Sequence, residues 1–241
     1  MADAMEQDRR AHWLEDATAL HYARAAAQVG LWASEKIMAE RHFDKAHRLL
    51  EVGAGAGRAG LGLLRLGYAD LIITDFSPAM VEIARGVLAE ANPGWQGQVR
   101  QADVTDLPFA DGTFDGVLAA FNALMCLRGR ADREKALREI RRVLRPGGRL
   151  VFSANDRERG DNRDAWARHA PEAGLEPGER WHDSPTSPVF MRSCTEQEMR
   201  GELEAAGFTL LESALTTELA DDGPAARAFA GVTRLYAAER P

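Results

Sequence analysis

Cysteine is nearly absent from this chain of 241 residues: Cys126 and Cys194 stand far apart, and neither has a partner at metal-ligand spacing. That argues against a disulfide framework and a thiolate zinc site, and it suits a reducing compartment. Lysine is almost as scarce, at Lys36, Lys45 and Lys135, against abundant arginine. The imbalance reflects a GC-rich bacterial genome rather than arginine chemistry. Positive charge is not in surplus either. The formal net charge of -7 makes nucleic acid and anionic membrane poor partners. The basic stretch "REIRRVLR" (Arg138 to Arg145) reads as the solvated face of an amphipathic helix. Long hydrophobic runs are missing too. The longest largely apolar segment, Val117 to Leu127, is too short to span a bilayer and is interrupted by Asn122. The polar opening "MADAMEQDRR" has no apolar core behind it, so no signal peptide is expected. The expectation is a cytoplasmic protein with no membrane span, no nucleic-acid partner and no metal site.

What is present is a regular alternation of apolar runs and amphipathic helices. The first forty-odd residues read as helix, with Trp13, Leu20, Val29 and Ile37 at apolar positions. "RLLEV" is a buried strand by its length and its glycine flank, "DLIIT" a second, "QVRQAD" a third, "FDGVLAAF" a fourth and "RLVFSA" a fifth. Residues 57–66 read as helix. In "SPAMVEIARGVLAEA", Ser77 can cap, Pro78 suits the first helical position, and Met80, Ala84, Val87 and Leu88 share a face. In "ADREKALREIRRVL" the shared face is Ala136, Leu137, Ile140, Val143 and Leu144, and "RPGG" ends the helix. Residues 155–194 break the rhythm, with four prolines, three glycines and two tryptophans and no sustained period. A segment this long is expected to cover a site rather than link domains. "TEQEMRGELEAAG" then forms a helix with a capping box (Thr195, Glu198) and a stop at Gly207. "FTLLESALTT" and "GVTRLYAAER" close the chain as strands.

This order implies an α/β fold with a doubly wound, seven-stranded, mostly parallel sheet, helices on both faces and an antiparallel C-terminal strand. One domain is expected over 1–241. It comprises a helical cap (1–46), a core (47–154), a covering insertion (155–194) and a C-terminal helix with closing strands (195–241).

The stretch "RLLEVGAGAGRAG" (Arg48 to Gly60) holds two glycine registers. Gly55, Gly57 and Gly60 spell G-x-G-x-x-G, a dinucleotide fingerprint; Gly53, Gly55 and Gly57 spell G-x-G-x-G behind an acid, Glu51. In both, glycines let the backbone turn sharply and approach a ligand, and an acid after the second strand binds ribose. Asp75 suits either register, so spacing alone does not choose. Three further features favour the second. Glu51 is a carboxylate in an apolar strand, ill-suited to a neighbouring pyrophosphate. Asp103 follows the third strand. No Lys or Arg follows Asp75 to take a 2′-phosphate. Three acids at strand ends suit a cationic nucleoside.

With "ITDFSPAMVEIAR", "ADVTDLPFADGTFDGVLAAF" and "LREIRRVLRPGGRLVFS", the glycine stretch resembles the ordered motifs of class I S-adenosylmethionine-dependent methyltransferases. The resemblance runs over about residues 47–155, on the small-molecule branch that includes the ubiquinone/menaquinone methyltransferases. It implies S-adenosyl-L-methionine as cofactor and S-adenosyl-L-homocysteine as product. Gly53, Ala54, Gly55 and Gly57 would line the methionine portion, with Glu51 facing its amino group directly or through water. Asp75 would take the ribose hydroxyls, Phe76 and Met80 the adenine, and Asp103 and Val104 the adenine edge. Ala120, Phe121 and Asn122 would lie beside the reactive methyl. "NALMCLRGRAD" departs from the quinone enzymes after the fourth strand, which argues against a quinone acceptor.

In-line displacement from a sulfonium needs orientation in a dry cleft more than it needs a base. A base is required only for an acceptor that arrives protonated, and the candidates are His21 and His182 with Asp183. Asn122 is the candidate for contact with the acceptor. Asn155 and Asp156 open toward the same edge, and Tyr22, Trp32, Trp181 and Phe190 are candidate walls. The expected partner is a small-molecule methyl acceptor (N, O or C), and the chain would be a monomer or homodimer. Two alternatives stand: an NAD(P)-dependent oxidoreductase using the G-x-G-x-x-G, and a non-catalytic S-adenosylmethionine-binding protein.

Overall fold

The computed structural model describes residues 30–95, 97–159, 163, 174–182, 188–229 and 232–241. Strands β1 (Leu49–Val52), β2 (Leu71–Asp75) and β4 (Phe114–Ala119) are short and apolar because both their faces are covered. β3 (Gln98–Gln101) lies at the edge and buries only Val99. Helices α2 (Arg58–Arg65), α3 (Pro78–Ala91) and α4 (Arg130–Val143) make the crossovers. α3 starts as the sequence indicates: the Ser77 hydroxyl accepts from the Met80 amide, and Pro78 fills the first position, where no N–H partner is needed. Its inner face is Met80, Val81, Ala84 and Leu88; Val87, expected on that face, is not fully buried.

β5 (Leu144–Asp156) pairs in parallel with β4 and antiparallel with β9 (Thr233–Glu239), which carries β8 (Thr209–Leu215) outside it. α5 (Glu196–Ala205) begins with the expected capping box, Thr195 and Glu198 each bonding the other's backbone. The resulting seven strands run β3-β2-β1-β4-β5-β9-β8. β1 to β5 are parallel and β9 is antiparallel, as the α/β expectation held.

The expected strand number needs one correction. Residues 155–194, read as lacking any sustained period, contribute β6 (Glu179–His182) and β7 (Val189–Cys194), giving nine strands among the described residues. β7 pairs with Asn155 and Asp156, on the stretch of β5 beyond its last β4 partner, Phe152. Apolar alternation did not reveal the hairpin, because salt bridges help hold it: Glu179 meets Arg133 of α4, and Arg192 meets Glu202 of α5. Of the N-terminal cap, α1 (Ala33–His42) lies within the described residues.

Two apolar layers sandwich the sheet. Leu50, Val117, Phe152, Ile140 and Leu203 lie in one, and Leu49, Ile73, Leu118, Leu63 and Tyr68 in the other. From β1 the chain winds outward through β2 and β3, then returns to β4. The crevice at the C-terminal ends of β1 and β4 is therefore the place where this topology leaves room for a ligand.

Candidate functional site

Backbone geometry sets Gly60 apart from the other three glycines. Gly53, Gly55 and Gly57 adopt φ of 64°, 54° and 83°, the left-handed region that a side chain disfavours. Gly60 has no such conformation and sits inside α2. A Cβ there would stand 2.5 Å from Glu51 Oε2 and from Ile73 Cδ1, so Gly60 serves close helix–sheet packing. At Gly55 an added Cβ would meet no protein atom within 4 Å, which leaves the loop open on the side a ligand would occupy.

Asp75 ends β2 and turns back on the loop. Its Oδ2 accepts from the Gly55 amide at 2.7 Å, and its Oδ1 from the Ser77 amide at 2.8 Å. Burial raises its pKa, and the bonds from Ser77 and Gly55 oppose that rise. Beneath the loop, Glu51 is 1% exposed. The Gly60 amide donates to its carboxyl group, while Oε2 has no partner among the described residues. Burial pushes its pKa up to about 8, against the opposing pull of Arg58 and with Glu35 and Asp75 adding to the rise.

Arg58 is the cation nearest the glycine loop in sequence, and it is already committed. Its Nη1 and Nη2 donate to Glu35 Oε2 and Oε1 at 2.6 Å each, and Nη1 also reaches the Gly30 carbonyl at 2.7 Å. Glu35 Oε2 accepts from the Trp32 amide as well, which ties the start of α1 to the start of α2.

At the end of β4, Phe121 and Asn122 take φ of 51° and 60°, although neither is glycine. Strain of this kind costs about 1 kcal/mol or more per residue and concentrates at ligand sites. The Asn122 amide donates to Ser153 Oγ at 2.7 Å and its Nδ2 to Asn155 Oδ1 at 3.0 Å, while its Oδ1 is buried without a donor among the described residues. Trp32 packs edge-on against Phe121, centroids 5.5 Å apart, and its Nε1 is also buried without a partner among the described residues. The site thus joins Glu51, the glycines, Asp75 and the turn at Ala120, Phe121 and Asn122 along one sheet edge, under Trp32.

Other expected residues are placed differently. Asp103 Oδ1 accepts from the amide and hydroxyl of Thr105, so this carboxylate shapes its own turn, and Val104 packs against the apolar layer. Phe76 is half-buried and Met80 fully buried. Asp156 does not open toward the edge: it is 3% exposed and bonded to Arg234 Nε at 3.0 Å. His182 ends β6 and is exposed; Trp181 and Phe190 pack on each other across the hairpin. His21, Tyr22 and Asp183 lie outside the described residues. Burial lifts the thiols of Cys126 and Cys194 to about 12, which disqualifies them as nucleophiles near neutral pH. Glu35 was missed in the sequence, and only a conspicuous acid three residues after Trp32 could have flagged it.

A family model described as a methyltransferase domain matches residues 49–148. The chain is similar to the demethylmenaquinone methyltransferase of Thermus thermophilus, 46% identical over 105 residues, which are 43% of this chain and 45% of that protein. It therefore covers less than half of that relative. Among solved structures it is similar to the glycopeptide N-methyltransferase MtfA complexed with S-adenosyl-L-homocysteine. The TM-score is 0.67 at 20% identity, over 89% of this chain and 91% of that one. It is also similar to a 4+2 cyclase, SpnF, with a TM-score of 0.63 at 25% identity, over 86% of this chain and 79% of that one.

Proposed function

We propose that this chain, whose strand order and glycine loop are those of a class I S-adenosylmethionine-dependent methyltransferase, transfers a methyl group to a small-molecule acceptor. One observation carries the reading: the three left-handed glycines are flanked by acids rather than by an available cation. Asp75 holds the Gly55 amide that a pyrophosphate would claim, and Arg58 is held by Glu35. A dinucleotide would bring its phosphates against Asp75 with no compensating charge from Arg58, which disfavours the oxidoreductase.

The residues present fit the cofactor. Gly53, Ala54, Gly55 and Gly57 would line its methionine portion, with open space beside Gly55, and Glu51 would offer its ammonium a buried oxygen, unmet among the described residues, directly or through water. Asp75 retains lone pairs for the ribose hydroxyls. Phe76, half-buried, would flank the adenine, with Asp103 and Val104 toward its edge, while Met80 belongs to the core beneath. When bound, the cofactor supplies a methyl on a sulfonium, the electrophile of an in-line displacement.

The protein's part is to orient and to exclude water. Ala120 and Phe121 present an apolar wall to the reacting groups, and Trp32 covers it. Asn122 Oδ1, unmet and held by the Nδ2 bond to Asn155, accepts a hydrogen bond from the acceptor and fixes its angle. A protonated acceptor would need a base, for which His21 and His182 are the candidates.

A second reading, a cofactor-binding protein that transfers no methyl, is favoured by the likeness to SpnF, a cyclase on this fold. Two measurements separate the readings. Mass spectrometry of small molecules released from the purified protein should find S-adenosylhomocysteine or its parent, and bound NAD or FAD would refute the proposal. Labelled-methyl transfer across a panel of amines, phenols and carbon acids should mark an acceptor. Cofactor binding with no transfer to any member favours the second reading.

A further inference from the structure

We infer that Arg58 is a positioning residue that locks segment 30–42 onto the glycine loop, so that cofactor binding and docking of that segment are coupled. The inference rests on the proposed cofactor. Three parts of the chain converge on this guanidinium. Arg58 itself follows Gly57, the last left-handed glycine, and opens α2. From the N-terminal segment it takes the Gly30 carbonyl and both oxygens of Glu35. From the turn after β4 it faces the Phe121 ring at 5.7 Å, and it lies 5.1 Å from the Trp32 ring.

The arrangement is specific to arginine. A planar fork can bond two carboxylate oxygens while its face meets aromatic rings; a lysine ammonium is a point charge and cannot do both. The pair is also dry, with side-chain exposures of 12% for Arg58 and 2% for Glu35. A buried pair of this kind holds one geometry firmly, because losing either partner strands the other charge.

The segment has other anchors that do not involve the loop. The Ser34 amide and hydroxyl donate to Asp222 at 2.8 and 2.6 Å, and His42 Nε2 meets Glu212 Oε2 at 2.7 Å. These hold α1 to the C-terminal part of the chain. Among the described residues, Arg58 makes the hydrogen bonds that link its first residues to the start of α2, beside the packing of Leu31 against Gly62. Trp32, with its unmet Nε1, is what that link presses against Phe121, over the edge where the cofactor would sit.

The test measures S-adenosylhomocysteine affinity by calorimetry and amide exchange of residues 30–42 with and without it. The wild type should bind it, and exchange at 30–36 should slow further on binding. R58M should weaken binding about tenfold or more and abolish the ligand-dependent slowing at 30–36, leaving 38–42 protected. R58K should fall between the two, and E35Q/R58M should bind no more weakly than R58M. Should R58M fail to fold, R58K and E35Q carry the test, each expected to weaken binding severalfold. Folded variants that bind as tightly as wild type, or wild-type binding without slower exchange at 30–36, overturn the coupling alone. A wild type that does not bind S-adenosylhomocysteine overturns the proposed function and this inference together.

Discussion

Two buried clusters of charge in this molecule resolve their bonding in opposite ways. Where the β6–β7 hairpin meets α4 and α5, every carboxylate is answered. Arg133 bonds Glu179 and Glu176 at 2.6 Å each, Arg192 forks onto Glu202, and the amides of Gly129 and Arg130 also donate to Glu179 and Glu176. What remains over is the Nε of each arginine. Around the glycine loop Arg58 and Glu35 are fully paired, yet Glu51 Oε2, Asn122 Oδ1 and Trp32 Nε1 stay unmet. A buried polar atom without a partner costs roughly 1–3 kcal/mol. At the loop the unmet atoms include a carboxyl oxygen of β1 and an amide oxygen of the turn after β4, and in the proposed reading a ligand meets them. At the hairpin the carboxylates are met, and only arginine Nε atoms remain over.

The contrast can be tested first by damaging the completed cluster. Arg133→Met leaves Glu179, 2% exposed on its side chain, with its charge uncompensated. Urea unfolding should show a loss of about 3–5 kcal/mol. The folded variant should still bind S-adenosylhomocysteine with wild-type affinity; a matching loss of affinity would mean that the two clusters are not independent.

The clusters should also respond to pH with opposite signs. Glu51 has its folded pKa raised from 4.5 to about 8, so the folded state holds a proton that the unfolded chain releases. Its contribution is fully present below about pH 4.5 and is lost as pH rises toward 8, with a slope of at most ~1.4 kcal/mol per pH unit. Glu176 is lowered, mainly by Arg133 against the opposing effect of burial, so its contribution is present above its unfolded pKa and lost as pH falls. Comparing unfolding of wild type and Glu51→Gln between pH 5 and 8 isolates the first slope, which the variant should lack. Parallel curves would show that Glu51 is not protonated in the folded protein.

A smaller effect is expected at the ribose position. Asp75→Ala should weaken S-adenosylhomocysteine binding by at least ~1.5 kcal/mol, the scale of a hydrogen bond to a charged group. Unchanged affinity would refute that assignment. The smallest is Gly55→Ala, which meets no protein atom but forces a side chain into left-handed backbone. It should cost about 1 kcal/mol of stability by thermal unfolding, and a stability equal to wild type would show that the loop can relax.

Much of the crevice was legible in the sequence. Glycine spacing left two registers, and the acids at Glu51, Asp75 and Asp103 favoured the one whose three glycines all take positive φ. The role of Gly60 followed from that choice and is realised in its contact with Glu51 and Ile73. The central strands β1, β2 and β4 were legible because each is an apolar run ended by a turn. The hairpin was not, since its residues carry charge and prolines, and their partners Arg133 and Glu202 lie on helices read as ordinary amphipathic ones. Asp156 misled for the same reason: its partner Arg234 is 78 positions away, and no local pattern announces such a pair.

The most direct measurement is calorimetric titration of the purified protein with S-adenosylhomocysteine and, separately, with NAD. The acid-flanked glycine loop requires one molecule of S-adenosylhomocysteine per chain and no detectable heat with NAD. Binding of NAD at the same site, or of neither ligand, would contradict it.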